Sequence, residues 1–155
     1  MGDQIYYHLS AGGTGLTTSF FNTNEGASGE LITNIPTTNQ LSKPFEVHKL
    51  KVRFAQDLIQ ADCLEISESS ILKFKIGKEE ILKLPVIDCL SGSRIEASMT
   101  ETAGDLWQMI GPQDGYVFKQ PVTIPASTFF EVVIVHTSGL STGTGITCTL
   151  EGVER

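Results

Sequence analysis

The feature that most constrains this chain is a long run of alternating apolar side chains near its C-terminal end. Phe130, Val132 and Ile134 share one phase of the run 129–137, and most residues of the other phase are apolar too. Because successive side chains of a strand point to opposite faces, the run predicts a β-strand covered on both sides, by a second sheet and by a loop or neighbour. After a polar turn, the alternation of residues 146–150 predicts a second, antiparallel strand.

The same two-residue period recurs at 4–9, 45–54, 72–76 and 81–88, and a further strand before Pro125 is predicted to be broken at Gln120 and Pro121, between Phe118 and Val122. Within 45–54 the apolar phase slips between Val47 and Leu50, which predicts a β-bulge or a corner between sheets. Pro85 places its strand at an edge or ends it. Residues 55–67 indicate a helical turn, and residues 90–115 are predicted to be a long irregular excursion, with helical pieces near 94–99 as the alternative. No βαβ alternation occurs, so we predict an all-β fold: a single jelly-roll barrel or sandwich of about eight antiparallel strands with an extended N-terminal arm.

The N-terminal segment differs in composition from the rest, so we divide the chain into residues 1–44, a first strand and arm, and 45–155, the jelly-roll domain. Ser, Thr, Asn and Gly dominate the arm, which nevertheless holds many large apolar side chains. We expect these to dock onto the barrel or onto a neighbouring subunit; the alternative is an irregular loop on its own domain. Unpaired backbone at the sheet edges and in the arm would also allow strand addition between copies. The candidate inter-subunit contacts are Leu16, Phe20, Phe21, Ile32, Ile35, Trp107 and Met109. For the last two the alternative is that they cap the core.

Charge and cysteine content exclude several function classes. The formal net charge is −7, which argues against tight direct binding of nucleic acid. Lys49, Lys51 and Arg53 alternate along one strand and are interpreted as a solvated face. Three widely spaced cysteines without a CxxC motif do not predict a disulfide framework or a zinc site. This cysteine usage fits synthesis in a reducing cytoplasm. The first residues lack the pattern of a secretory signal, and no run is apolar enough to span a bilayer.

The residues that carry chemistry are dispersed. His8, His48 and His136 fall on three separate strands without metal-ligand spacing. Three acidic residues, Glu101, Asp105 and Asp114, lie in the long excursion and are more typical of solvated loop acids than of a glycosidase pair. No nucleophile motif occurs. We therefore predict that the chain is not an enzyme and uses no cofactor, metal or small-molecule substrate.

Two stretches resemble a known family. In YVFKQPVTIPASTFFEVVIV (116–135) a Pro-containing strand leads into a Phe-rich strand, and ITCTLEGVER (146–155) is a closing strand. With the polar arm and first barrel strand of 20–54, they resemble the jelly-roll capsid proteins of tailless icosahedral viruses, including membrane-containing bacteriophages. Many relatives are double jelly rolls, whereas this chain has the length of one barrel.

The resemblance implies a virion structural protein that self-assembles through barrel and arm contacts. Its expected partners are copies of itself, another capsid protein and an internal membrane. The alternative is a non-catalytic carbohydrate- or ligand-binding β-sandwich module, suggested by Trp107 and Tyr116 near one loop-rich end, since sugars stack on exposed aromatic rings. A third hypothesis, a metal-dependent barrel enzyme, rests on the fold alone.

Overall fold

The computed structural model describes residues 2–11, 15–54, 58–97, 106–140 and 145–155. Within these ranges the chain is an all-β sandwich of eight antiparallel strands in two four-stranded sheets, which confirms the predicted fold class at this level. Sheet A contains β1 (Gly2–Ala11), β3 (Phe45–Phe54), β9 (Tyr116–Ile124) and β11 (Gly145–Glu154). Sheet B contains β2 (Thr17–Phe20), β5 (Ile71–Ile76), β6 (Glu79–Pro85) and β10 (Phe130–Val135).

The strands pair in a nested order. β1 pairs with β11, β2 with β10, β3 with β9 and β5 with β6. The first of the eight sandwich strands thus pairs with the last, the second with the second-last, and so on to the two middle strands. Two further pairings, β11 with β3 and β10 with β5, complete sheet A in the order β1-β11-β3-β9 and sheet B in the order β2-β10-β5-β6. Both strands from residues 1–44 are therefore edge strands of the sandwich.

A smaller antiparallel sheet lies in the region predicted to be irregular. It consists of β4 (Leu58–Ile59), β8 (Leu106–Asp114) and β7 (Ser91–Ala97) in that order. The expectation of an excursion without strands at 90–115 is wrong for its described part. Register shifts between Ser91 and Arg94 interrupt the two-residue period, and so the alternation was not visible in the sequence.

Three short helical elements complete the described chain: α1 (Glu25–Ser28), α2 (Gln60–Glu68) and a 3-10 turn at Val86–Cys89. Helix α2 confirms the helical turn predicted for 55–67. Pro85 ends β6 and the 3-10 turn follows, so the strand predicted for 81–88 stops earlier than its apolar pattern suggested. No helix of the described residues combines the length and apolar content needed to cross a bilayer.

The core lies between the two sheets and is built from the alternating positions seen in the sequence. Each fully buried large side chain contributes about 1.5–3 kcal/mol relative to exposure, which makes this interface the main source of stability. Both sheets contribute side chains that are at most 1 % exposed: Phe45, Leu50, Val52, Ile146, Cys148 and Leu150 from sheet A, and Phe20, Leu72, Phe74, Phe130, Val132 and Ile134 from sheet B.

A β-bulge lies where the apolar phase of β3 slips. Lys49 pairs with Glu151 and Val47 with Gly152, so His48 is the extra residue. The bulge predicted from the phase slip is confirmed. A Cβ atom on Gly152 would stand 1.8 Å from the carbonyl oxygen of Glu46, so the two strands approach too closely there for any other residue.

Residues 15–44 fold back onto the sandwich. Phe20, Phe21, Ile35 and Leu41 are at most 1 % exposed and belong to the core. Asn39 fixes the return path, because its side-chain amide donates to the carbonyl of Phe130 (2.9 Å) and its carbonyl accepts from the Phe130 N–H (3.0 Å). The segment thus docks onto its own barrel, one of the two arrangements expected for it.

Candidate functional site

The predicted inter-subunit residues fall into three groups. Phe20, Phe21 and Ile35 are buried in the core of the same chain, and Ile32 is half-buried. Leu16 is exposed beside the end of β10. The last two, Trp107 and Met109, lie on β8, but their side chains fall outside the described part of the structure. A role of these seven residues between subunits stays a prediction.

The outer edge of β1 is closed by the returning N-terminal segment. The Asn34 side chain accepts from the N–H of Tyr7 (2.9 Å) and donates to the carbonyl of Ile5 (2.7 Å). The N–H of Leu9 donates to the carbonyl of Ile32 (2.7 Å). The expectation of unpaired backbone is therefore wrong for this edge, because local side-chain and backbone partners occupy it.

The other sheet edges are blunted in different ways. β2 has only four residues. β6 begins with Glu79 and Glu80 and ends at Pro85. β9 contains Pro121, and its pairing with β3 skips from Val117 to Val122. Short, charged, proline-containing and bulged edges all discourage strand addition.

A buried polar cluster joins helix α2 to the end of β10. The ring nitrogens of His136 hydrogen-bond to the Thr18 hydroxyl (3.0 Å) and the Ser70 hydroxyl (2.8 Å), and the Ser70 hydroxyl also donates to the carbonyl of Glu65 (3.0 Å). Burial lowers the pKa of His136, and the nearby Glu65 and Asp62 oppose that shift. Both hydrogen-bond partners of the ring belong to the scaffold, and Ser70 connects it to helix α2, so we call the cluster a structural clamp.

The Glu65 carboxylate completes this clamp. It accepts hydrogen bonds from the hydroxyls of Thr137 and Ser138 (both 2.9 Å), from the Ser138 N–H (3.1 Å) and from the Thr137 N–H. Burial alone would raise the pKa of Glu65, but the hydrogen bonds from these four donors outweigh it, so the pKa is lowered below its usual value. The adjacent N–H groups of Thr137 and Ser138, a pair of the kind that binds oxyanions in enzymes, thus already donate to the protein's own carboxylate.

The remaining ionisable residues do not assemble into a reactive centre in the described ranges. No group of three His, Cys, Asp or Glu side chains there could hold a metal ion. Burial raises the pKa of the Cys89 thiol to about 12, which keeps it protonated and unreactive. Asp114 forms ion pairs with Lys49 and Lys51, and the Lys49 hydrogen bond lowers its pKa. The other two acidic residues of the predicted excursion, Glu101 and Asp105, lie outside the described residues.

His8 is the one buried histidine whose environment is apolar. It is 3 % exposed, and its ring meets those of Phe20 and Phe21 edge-on, with centroids 6.1 and 5.8 Å away. Its Nδ1 has no hydrogen-bond partner in the described structure. Burial lowers the pKa of His8, so the folded chain holds this ring neutral.

Two shallow grooves run along the outer face of sheet A, with volumes of about 220 and 340 Å³. Both are lined by Ile5 and Glu151. Lys51 and Glu151, which form an ion pair (3.1 Å), both line the smaller groove. Tyr116, the ring suggested as a sugar platform, packs edge-on against Phe118 with centroids 5.1 Å apart. The grooves therefore present ion pairs and hydroxyls, with no described aromatic ring for a sugar to stack on.

Large apolar side chains are exposed at several places around the sandwich. Leu31 is 91 % exposed on the turn that follows α1, and Val117 is 53 % exposed at the opposite edge of sheet A. Others are Ile5, Leu9, Leu16, Leu64, Ile71 and Phe129. Of these residues only Leu16 was predicted as a contact from the sequence, because most of the others lie in strands or in α2, and the sequence pattern does not show whether an outward side chain is covered. Their spread around the perimeter suits several separate protein contacts better than one ligand pocket.

Comparison of the chain with models of known protein families, with curated proteins and with solved structures found no match.

Proposed function

We propose that the chain is a single jelly roll that serves as a structural subunit of an icosahedral viral capsid. The observation that carries the fold part of the proposal is the nested strand order, in which successive pairs from the outside inward alternate between the two sheets. A jelly roll is a sandwich of eight strands in two Greek keys, and winding a ribbon of nested antiparallel pairs produces that order.

The same architecture serves capsid proteins, lectins and cupins, so the choice among them depends on surface chemistry. A lectin needs a focused binding site and a cupin needs clustered metal ligands, whereas a shell subunit needs several separate contact areas. The exposed apolar side chains at both edges of sheet A and at the end of sheet B favour a shell subunit. A repeated set of contacts with identical copies closes into a symmetric assembly.

The proposal includes the partners that the resemblance implies: copies of the chain, a second capsid protein and an internal membrane, in a virion made in the host cytoplasm. It assigns no catalysis and no cofactor. The net charge of −7 makes tight direct contact with the genome unfavourable.

The test is self-assembly of the purified chain, followed by native mass spectrometry and negative-stain electron microscopy across protein concentration and salt. We expect discrete oligomers or closed particles whose population grows with concentration. Replacement of Val117 by Lys should reduce assembly, whereas replacement of the neighbouring exposed Lys119 by Ala should not. A chain that stays monomeric under all conditions would refute the proposal, and glycan-array binding by that monomer would favour the carbohydrate-binding alternative.

A further inference from the structure

One surface of the sandwich carries positive charge although the chain as a whole is acidic. Lys73 of β5 lies directly opposite Lys83 of β6, and both point away from the core because the alternate residues Leu72 and Phe74 are buried. Neither lysine forms an ion pair with a described residue, and Lys75, the next outward lysine, reaches only Glu131, at 3.9 Å. Like charges directly opposite each other on a sheet destabilise it, so this surface gains from an anionic partner.

The same surface is partly apolar. Ile71 is 39 % exposed, and Val133 and Val135 of β10, which pair with Lys73 and Ile71, are only half-buried. We call these outward side chains of sheet B (Ile71, Lys73, Lys75, Lys83, Val133 and Val135) the basic face. The two outward carboxylates beside it, Glu131 and Glu80, both pair with Lys75, so its uncompensated charge is that of Lys73 and Lys83. A partner that fits it must offer carboxylates next to an apolar side chain.

The chain itself presents such a group at the turn after α1. Glu30 is exposed, Glu25 is half-exposed and Leu31 is 91 % exposed. Neither carboxylate forms an ion pair with any residue in the described ranges. We call these three residues the acidic tip.

The tip is held in place before any partner arrives. The Gly29 N–H donates to the carbonyl of Glu25 (2.8 Å), the Ile32 N–H donates to the carbonyl of Gly29 (3.1 Å), and the hydroxyl of Tyr7 donates to the carbonyl of Glu30. A fixed turn loses little conformational entropy on binding, which favours its use as a contact.

We infer that the acidic tip of one copy docks on the basic face of the next copy. The inference rests on the proposed self-assembly and identifies one of its contacts. Two chains of net charge −7 repel each other, so an interface between them needs a local patch of opposite sign, and the basic face supplies it. Because the tip lies at the edge of sheet A and the basic face lies on sheet B, the contact joins copies head to tail and generates a ring or a lattice row.

Charge reversal tests this contact. The tip variant Glu25→Lys/Glu30→Lys and the face variant Lys73→Glu/Lys83→Glu should each weaken assembly of the full chain by about tenfold or more, since each turns attraction into repulsion. A mixture of the two variants, and one chain carrying all four changes, should regain assembly, because a tip and a face of opposite charge can meet again. The milder Lys73→Gln/Lys83→Gln should weaken assembly less, and Lys119→Glu, on sheet A, should leave it unchanged.

Circular dichroism of each variant confirms that it is folded, and assembly is read by native mass spectrometry at low and physiological salt. If the wild type assembles and both variants assemble as well as it does, the inference is wrong while the proposed function stands. If the wild type never assembles, both fail. Normal assembly of the tip variant, together with binding of the wild type to vesicles of anionic lipid that the face variant loses, would assign the basic face to a membrane and overturn the inference.

Discussion

The replacement of Gly152 by Ala should be the most damaging single methyl addition among the described glycines. The new Cβ would lie 1.8 Å from the carbonyl oxygen and 2.8 Å from the carbonyl carbon of Glu46. Ordinary carbon–oxygen contacts begin at about 3.3 Å, so β11 and β3 would have to separate locally by roughly 1.5 Å. Overpacking costs about 1–3 kcal/mol, and each ladder hydrogen bond lost adds about 1 kcal/mol.

We therefore expect Gly152→Ala to lower the free energy of unfolding by about 3 kcal/mol. Since a chain of this size loses about 2–4 °C per kcal/mol, the midpoint temperature should fall by about 6–12 °C. Urea denaturation followed by circular dichroism measures the first quantity, and a thermal melt measures the second. Gly26→Ala is the matched control, because its Cβ meets only the Asn24 side chain at 3.4 Å and alanine favours a helix. A Gly152→Ala protein within about 0.5 kcal/mol of wild type would refute the bulge geometry.

Two further predictions concern buried ionisable groups. Glu65→Ala should destabilise the fold by about 3 kcal/mol in urea denaturation at pH 7, because four donors lose a charged acceptor. Since the pKa of Glu65 is lowered, this loss of stability should shrink as the pH falls below about 4.5. An effect under about 1 kcal/mol would show that Thr137 and Ser138 find other partners. The pKa of His8 is also lowered, so the unfolded chain takes up its proton first, and stability should fall as the pH drops below about 6.5, by at most about 1.4 kcal/mol per pH unit for one histidine. His8→Leu should reduce that slope between pH 6.5 and 5, and an unchanged slope would count against the apolar site around His8.

Strands with strict alternation could be located from the sequence because each has one face against the core. The run Phe45–Phe54 matches β3 at both ends, and its phase slip located the bulge. The outward side chains of β10, Glu131, Val133 and Val135, were predicted to be covered but are half-buried. An apolar outward phase in the sequence does not show whether another part of the same chain covers it.

The parts that escaped prediction depend on contacts between distant residues. β2 is only four residues long, and its polar sequence Thr17-Thr18-Ser19 has no strand pattern of its own; it becomes a strand because β10 pairs with it. The closed edge of β1 depends on Asn34, a residue typical of turns, meeting the backbone of Tyr7 and Ile5. The clamp formed by Glu65 and His136 likewise joins residues from opposite halves of the chain, with no local motif to reveal it.

The measurement that tests the account most directly is the mass of the purified wild-type chain, determined by native mass spectrometry from low to high protein concentration. The account predicts discrete multiples of the 16.8 kDa subunit that grow with concentration and dissociate as salt screens the charged contacts. A single 16.8 kDa species at every concentration and salt would contradict it.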